Sequence, residues 1–202
     1  MPGYADLIAI IYRYGCYQSE GQKAIQALVE GGESAFDVFQ SIRQDPPASE
    51  IHERDLAETF IAVIGRFAAK IPNVVLDRFE AGELEAFETY WALGIATDCR
   101  SIDVLISGLK HKDQFCRWAA AESLIQRKSN RATDALLDSL KDRSADVKFA
   151  VVSAMRKRRD LRRPDALPAL RRIVSSKANM RHSPGMVKCA EEVVSLIQQE
   201  NR

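Results

Sequence analysis

Apolar positions along this chain recur with a helical period. In Val147-Lys-Phe-Ala-Val-Val-Ser-Ala-Met155 the small or apolar positions 147, 150, 151, 154 and 155 fall on one face at about 3.6 residues per turn. The same spacing returns 31 residues earlier. Asp113-Gln-Phe-Cys-Arg-Trp-Ala-Ala-Ala-Glu-Ser-Leu124 lies over Ser144-Ala-Asp-Val-Lys-Phe-Ala-Val-Val-Ser-Ala-Met155. Cys116 falls on Val147, Arg117 on Lys148, Trp118 on Phe149 and Leu124 on Met155. The preceding segments align at the same offset, Ile102–Lys110 over Thr133–Lys141. A fixed period of this size marks a solenoid, in which each unit buries its apolar face only against its neighbours.

Breakers and caps divide the pattern into elements. Asp113 and Ser144 each stand three residues before the first core position of a helix, where an N-cap belongs. Pro164 and Ser183-Pro184 suit first turns. The predicted pairs are 101–110 with 113–127, 132–141 with 144–158, and 165–175 with 184–199. Upstream, 72–80 pairs with 83–96 across Ala81-Gly82, and 34–43 and 50–69 flank Asp45-Pro46-Pro47-Ala48-Ser49, read as a hairpin turn. The first helices, about 4–14 and 19–30, end at Gly15 and Gly31-Gly32. No stretch alternates as a strand does, and no Asn-Gly or Asp-Gly hairpin signal appears. The prediction is an all-α solenoid of about five or six helical hairpins in one continuous array. Residues 1–71 form divergent hairpins and 72–199 the clearer repeats.

Asp113-x-x-Cys116-Arg117-x-Ala119-Ala120-x-x-Ser123-Leu124 resembles the inner helix of HEAT repeats, especially the short bacterial type. That family favours Asp-x-x-Val-Arg-x-x-Ala-x-x-Ala-Leu. Asp146-Val147-Lys148 and Val187-Lys188 are weaker copies, and Ala166-Leu167-Pro168-Ala169-Leu170 is similar to the family's outer helix. The resemblance implies an all-α right-handed superhelix with a concave face lined by the second helix of each pair; the reading adopted for function is non-enzymatic protein binding on that face, with no cofactor. The motif is fairly specific for fold and nearly silent about function.

Composition narrows the setting. Hydrophobic residues make up 46% and charged residues 28%, as in ordinary globular chains. No apolar run approaches the roughly 20 residues of a bilayer span. Leu7–Tyr12 lies between Asp6 and Arg13 without a basic leader, so it does not read as a signal peptide. Cys16, Cys99, Cys116 and Cys189 are scattered, which fits free thiols in a reducing cytoplasm. The net charge of +1 hides an asymmetry: residues 1–99 carry seven Lys and Arg against sixteen Asp and Glu, and residues 100–202 carry 22 against 12. Such a dipolar chain selects a partner of complementary charge.

Candidate binding residues follow. Trp118 and Phe149 lie opposite the core set, with Ala121, Glu122 and Ile125 beside the first and 152, 153 and 156 beside the second. Large aromatics on a non-core face imply either a partner that covers them or packing on a neighbouring repeat. Phe87, Trp91 and Ile95 with Leu84 form a separate apolar stripe, on which Trp91 and Phe87 read as core. Arg117, Lys148 and Lys188 read first as partners of turn acids such as Asp113, Asp142 and Asp146, and second as a cationic ladder. The cluster Arg156-Lys157-Arg158-Arg159-Asp160-Leu161-Arg162-Arg163 exceeds what helix capping needs. Arg156, Arg159, Arg162 and Arg163 are its candidates for an acidic protein surface or for phosphate. Gathering of bases along the concave face would favour nucleic acid, and a local patch would favour protein. Enzyme signals are poor. His52, His111 and His182 lack metal spacing, and phosphate loops and nucleophile elbows are absent. The HEAT-like iron hydroxylases carry several His-Glu pairs, whereas His52-Glu53 is one. The HEAT-like DNA glycosylases and bilin lyases remain rival enzyme readings, and either would show a deep pocket with a buried acid.

Overall fold

The computed structural model describes residues 3–44, 53–96 and 99–201. Among these residues there are thirteen α-helices and no strand. The loop 45–49 and His52 lie outside the described residues. The chain divides into two compact units between Ser101 and Ile102.

The first unit contains α1 (Tyr4–Tyr14), α2 (Ser19–Glu30), α3 (Gly32–Gln44), α4 (Glu53–Lys70), α5 (Pro72–Glu80) and α6 (Ala86–Ala92), which runs into a 3-10 turn over Leu93–Ile95. Its core is aromatic. Phe36 and Phe67 pack at 4.9 Å between ring centroids, and Phe60 takes the edges of Tyr12 at 5.7 Å and Phe39 at 5.9 Å. The Arg43 guanidinium lies 5.0 Å over Phe60 and pairs with Glu88. Burial pushes the Glu88 carboxyl up, and Arg43 only partly offsets this. Gly15 ends α1 at φ 67°, a conformation glycine adopts without penalty.

One expectation fails in this unit. Phe87, read as core, is exposed and Trp91, read as core with it, is half-buried; elsewhere on the stripe Leu84 is buried and Ile95 exposed. The buried face of α6 is instead Thr89, Tyr90 and Ala92, followed by Leu93. Phe87 lies outside that face and stacks on Trp91 at 6.2 Å.

α7 (Cys99–Gly108) begins at the end of the first unit. The second unit continues with α8 (Gln114–Ile125), α9 (Asn130–Asp138), α10 (Ala145–Lys157), α11 (Leu167–Ser175), α12 (Lys177–His182) and α13 (Pro184–Glu200). Here the repeat is plain. Asp113 caps α8, accepting from the amides of Phe115 at 2.7 Å and Cys116 at 3.2 Å. Ser144 caps α10, accepting from Asp146 N at 3.2 Å. Inner helices α8, α10 and α13 pack side by side, with α10 in the middle. Ala119, Ala120 and Ala150 are buried where the helices approach. Ala121 and Val152, placed by periodicity on the non-core face, are fully buried too. A helix stacked between two others hides more than one face, and the Cys189 thiol of α13 donates to the Val152 carbonyl at 3.7 Å.

A latch joins consecutive turns. The Arg117 fork donates to both oxygens of Asp142, at 2.8 and 3.0 Å, and its third nitrogen donates to the carbonyls of His111 and Lys112 at 3.0 and 3.1 Å. Asp142 also accepts from Ser144 N at 2.7 Å, and Arg143 reaches back to the Lys112 carbonyl at 2.8 Å. Arg117 is therefore structural.

Candidate functional site

One turn of α8 and one turn of α10 leave a gap between them. Residues three and four apart share a helix face, so Phe115, Trp118 and Glu122 line one wall and Asp146, Phe149 and Ser153 the other. Gln114 and Ala150 complete a hollow of about 430 Å³. Phe115 is 58% exposed and Phe149 is 43% exposed, while Trp118 is half-buried. The indole N–H of Trp118 donates to the Glu122 carboxylate. Burial raises the Glu122 carboxyl above its ordinary range, and the Trp118 hydrogen bond offsets only part of this.

A second hollow of about 740 Å³ adjoins the first and shares Glu122, Ala150 and Ser153 with it. Its lining adds Ile125, Gln126, Ala154, Arg156, Lys157 and Arg158. Together they form a groove along α8 and α10, with Phe115, Phe149 and Asp146 at one end, Arg156, Lys157 and Arg158 at the other, and Glu122 where the two hollows meet.

The predicted candidates separate into two groups. Trp118 and Phe149 meet in the first hollow; Ile125 and Arg156 line the second. Arg159 and Arg162 instead turn to Glu200 of α13, at 3.6 and 3.3 Å. Arg163 pairs with Asp134 of α9 and with Asp165. Arg156 pairs with Glu192 at 3.0 Å. Arg158 pairs with Asp160 and donates to the Ile125 carbonyl at 2.6 Å. The basic cluster thus largely ties turns and helix ends together, and at the groove it forms a patch at one end.

Phe115, Glu122 and Asp146 belong to the site and were not among the predicted binding residues. A signal for them existed. Phe115 precedes Trp118 by three residues, Glu122 follows it by four, and Asp146 lies 31 residues after Phe115. Among the described residues no group of three or more His, Cys, Asp and Glu is placed to hold a metal ion. No single described helix is long and apolar enough to cross a membrane.

Stacked helical hairpins with a groove on their inner helices define an all-α repeat protein. The sequence profile of the HEAT repeats matches residues 86–156 and 102–183. Residues 86–183 belong to the HEAT-repeat family. Such repeats commonly serve as protein-interaction scaffolds and are typically non-catalytic. No curated protein matches this chain.

Proposed function

We propose that this protein is a binding module that docks a segment of another protein in the groove along α8 and α10. The observation that carries the reading is the pair of exposed aromatics, Phe115 and Phe149, that line one hollow together with the half-buried Trp118. Exposed aromatic surface in a concave site is the usual form of an interface anchor. The two ends of the groove carry opposite charge, which fixes the direction in which a segment lies.

The test places a photo-crosslinking amino acid at Gln114 or Ser153 in the groove and at Lys188 on α13 as control. Groove positions should capture one partner that the control position does not. Phe115→Ala with Phe149→Ala should cut that capture at least tenfold with an unchanged melting temperature, since both side chains are exposed. Undiminished capture by a folded double variant rejects the groove.

A second reading rests on the same hollow. A half-buried carboxyl raised by burial, in a hollow beside Trp118, is also a feature of active sites in general, and nucleic acid is the substrate class that the basic half of the chain would attract. Release of an alkylated base from methylated duplex DNA, abolished by Glu122→Gln, would establish it.

A further inference from the structure

We infer that the hollow between Phe115, Trp118 and Phe149 receives an arginine side chain of the partner protein, with the guanidinium stacked on the aromatic rings and its N–H groups directed to Glu122 and Asp146. The inference rests on the docking reading and names the chemistry that fills this part of the groove.

The acids carry the argument. Residues 102–202 contain twelve Asp and Glu. Eight of them pair with a Lys or Arg of the same unit: Asp103, Asp134, Asp138, Asp142, Asp160, Asp165, Glu192 and Glu200. A ninth, Asp113, is the N-cap of α8. In a unit with so many bases, acids without a cation are the exception. The remaining three are Glu122, Asp146 and Glu191; Glu191 stands on α13, and Glu122 and Asp146 line the same hollow. Glu122 is half-buried, so its ionised form lacks both full hydration and a counter-charge. The hydrogen bond from Trp118 occupies one of the carboxylate's several lone pairs.

The ring surfaces select the kind of cation. Guanidinium is planar, weakly hydrated and able to stack on a ring while donating from its edge to carboxylates. Aromatic faces attract it through the ring quadrupole. An ammonium offers a point charge and no face. A volume of about 430 Å³ admits a long side chain with room to spare, and aromatic walls can cover its methylene stem.

Positive ends of helices oppose this choice weakly. The N-termini of α8 and α10 lie close to Gln114, Phe115 and Asp146. Their partial charge is already met by the Asp113 carboxylate, which accepts two α8 amides, and by Asp146 in the first turn of α10. Of the bases that line the adjoining hollow, Arg156 and Arg158 are paired with Glu192 and Asp160 and Lys157 is exposed, while the hollow of Phe115, Trp118 and Phe149 is itself lined by two acids and no base. The hollow therefore keeps a net negative character.

The experiment follows the indole N–H resonance of Trp118, assigned with a Trp91→Phe variant, in the full chain. Acetyl-Gly-Arg-Gly-amide is titrated beside the citrulline, lysine and norleucine versions, each to about 10 mM, where weak single-residue affinities register. The arginine peptide should shift the resonance saturably, at least tenfold more tightly than its neutral isostere citrulline. Glu122→Gln with Asp146→Asn should erase that preference. Equal affinity for citrulline or norleucine overturns the inference in favour of an apolar pocket. Equal affinity for lysine overturns the guanidinium. No saturable shift with arginine overturns it outright. Partner capture at Gln114 involves none of these peptides, so the docking reading stands or falls separately.

Discussion

Arg117 and Glu122 lie a little over one turn apart on α8 and face opposite electrostatic situations. Arg117 is 5% exposed and Asp142 11% exposed at their side chains, in a bidentate pair. Removing one member of a buried pair strands the other, at a typical cost of 3–5 kcal/mol. Asp142→Asn leaves Arg117 two carbonyl acceptors, so the low end applies: about 3 kcal/mol, or roughly 10 °C in melting temperature. Burial by itself would raise the Asp142 carboxyl, but the Arg117 fork and the Ser144 amide prevail and hold it below its ordinary value of 3.8. A depressed carboxyl stabilises the fold above its unfolded pKa and loses that contribution as pH falls through the folded one. The difference between wild type and Asp142→Asn should therefore be complete at neutral pH and shrink on acidification below 3.8. Glu122 has the reverse sign. Its carboxyl sits above the ordinary 4.5, so its contribution is full below that value and is lost as pH rises through the folded pKa. Glu122→Gln keeps an acceptor for the Trp118 indole and sheds the charge. It should melt at or above the wild-type temperature at neutral pH. Thermal melts of both variants across pH read both signs, and a Glu122→Gln protein less stable than wild type at pH 7 would refute the second.

Helix existence and type were legible because periodicity, caps and breakers agreed. The predicted 72–80 and 4–14 match α5 and α1, and the 31-residue register placed Asp113 and Ser144 as the caps they are. α12 was missed because its six residues bury nothing and carry no apolar period. The single helix expected over 83–96 is α6 followed by a 3-10 turn at Leu93–Ile95. The aromatic half of the site was legible too, since register alone put Trp118 over Phe149. Its acidic half was not. Asp146 and Asp142 look alike in sequence, and only the fold shows that Arg117 takes the second and leaves the first. Close helix contacts were likewise hidden. A Cβ built on Gly21 would stand 1.7 Å from the Gly15 carbonyl oxygen, so α1 and α2 meet at backbone distance. Gly21→Ala cannot be absorbed by a rotamer change. It should cost at least the upper end of the 1–3 kcal/mol typical of overpacking. Ala120→Leu, between fully buried neighbours, should cost about 1–3 kcal/mol. Unchanged denaturant midpoints would show that these helices separate freely.

Charge gives the chain its remaining large feature, a net of −9 over residues 1–99 and +10 over 100–202. Duplex DNA responds to the number of phosphates neutralised, with log affinity falling by about 0.9 per contact for each decade of salt. The basic run between Arg156 and Arg163 supplies fewer contacts than its composition suggests. Arg156, Arg158, Arg159, Arg162 and Arg163 each hold an acid of this chain, and Arg158 and Arg162 are half-buried. A phosphate must displace those carboxylates before it gains anything. Other exposed bases, such as Lys110, Lys128, Arg171, Lys177, Arg181 and Lys188, are distributed over α11, α12, α13 and the segments after α7 and α8. The groove itself gathers bases at one end only, with Glu122 between the two hollows and Asp146 at the far end, and these acids repel a phosphate backbone laid along it. The expected behaviour is weak, sequence-independent retention on duplex DNA at low salt that vanishes by about 150 mM, because few counterions are released and the chain as a whole carries only +1. Fluorescence anisotropy with a labelled duplex, repeated over a salt series, measures both the affinity and the slope. Sub-micromolar, sequence-selective binding at that salt would mean that the internal pairs open readily, and would move the function of this groove from protein to nucleic acid.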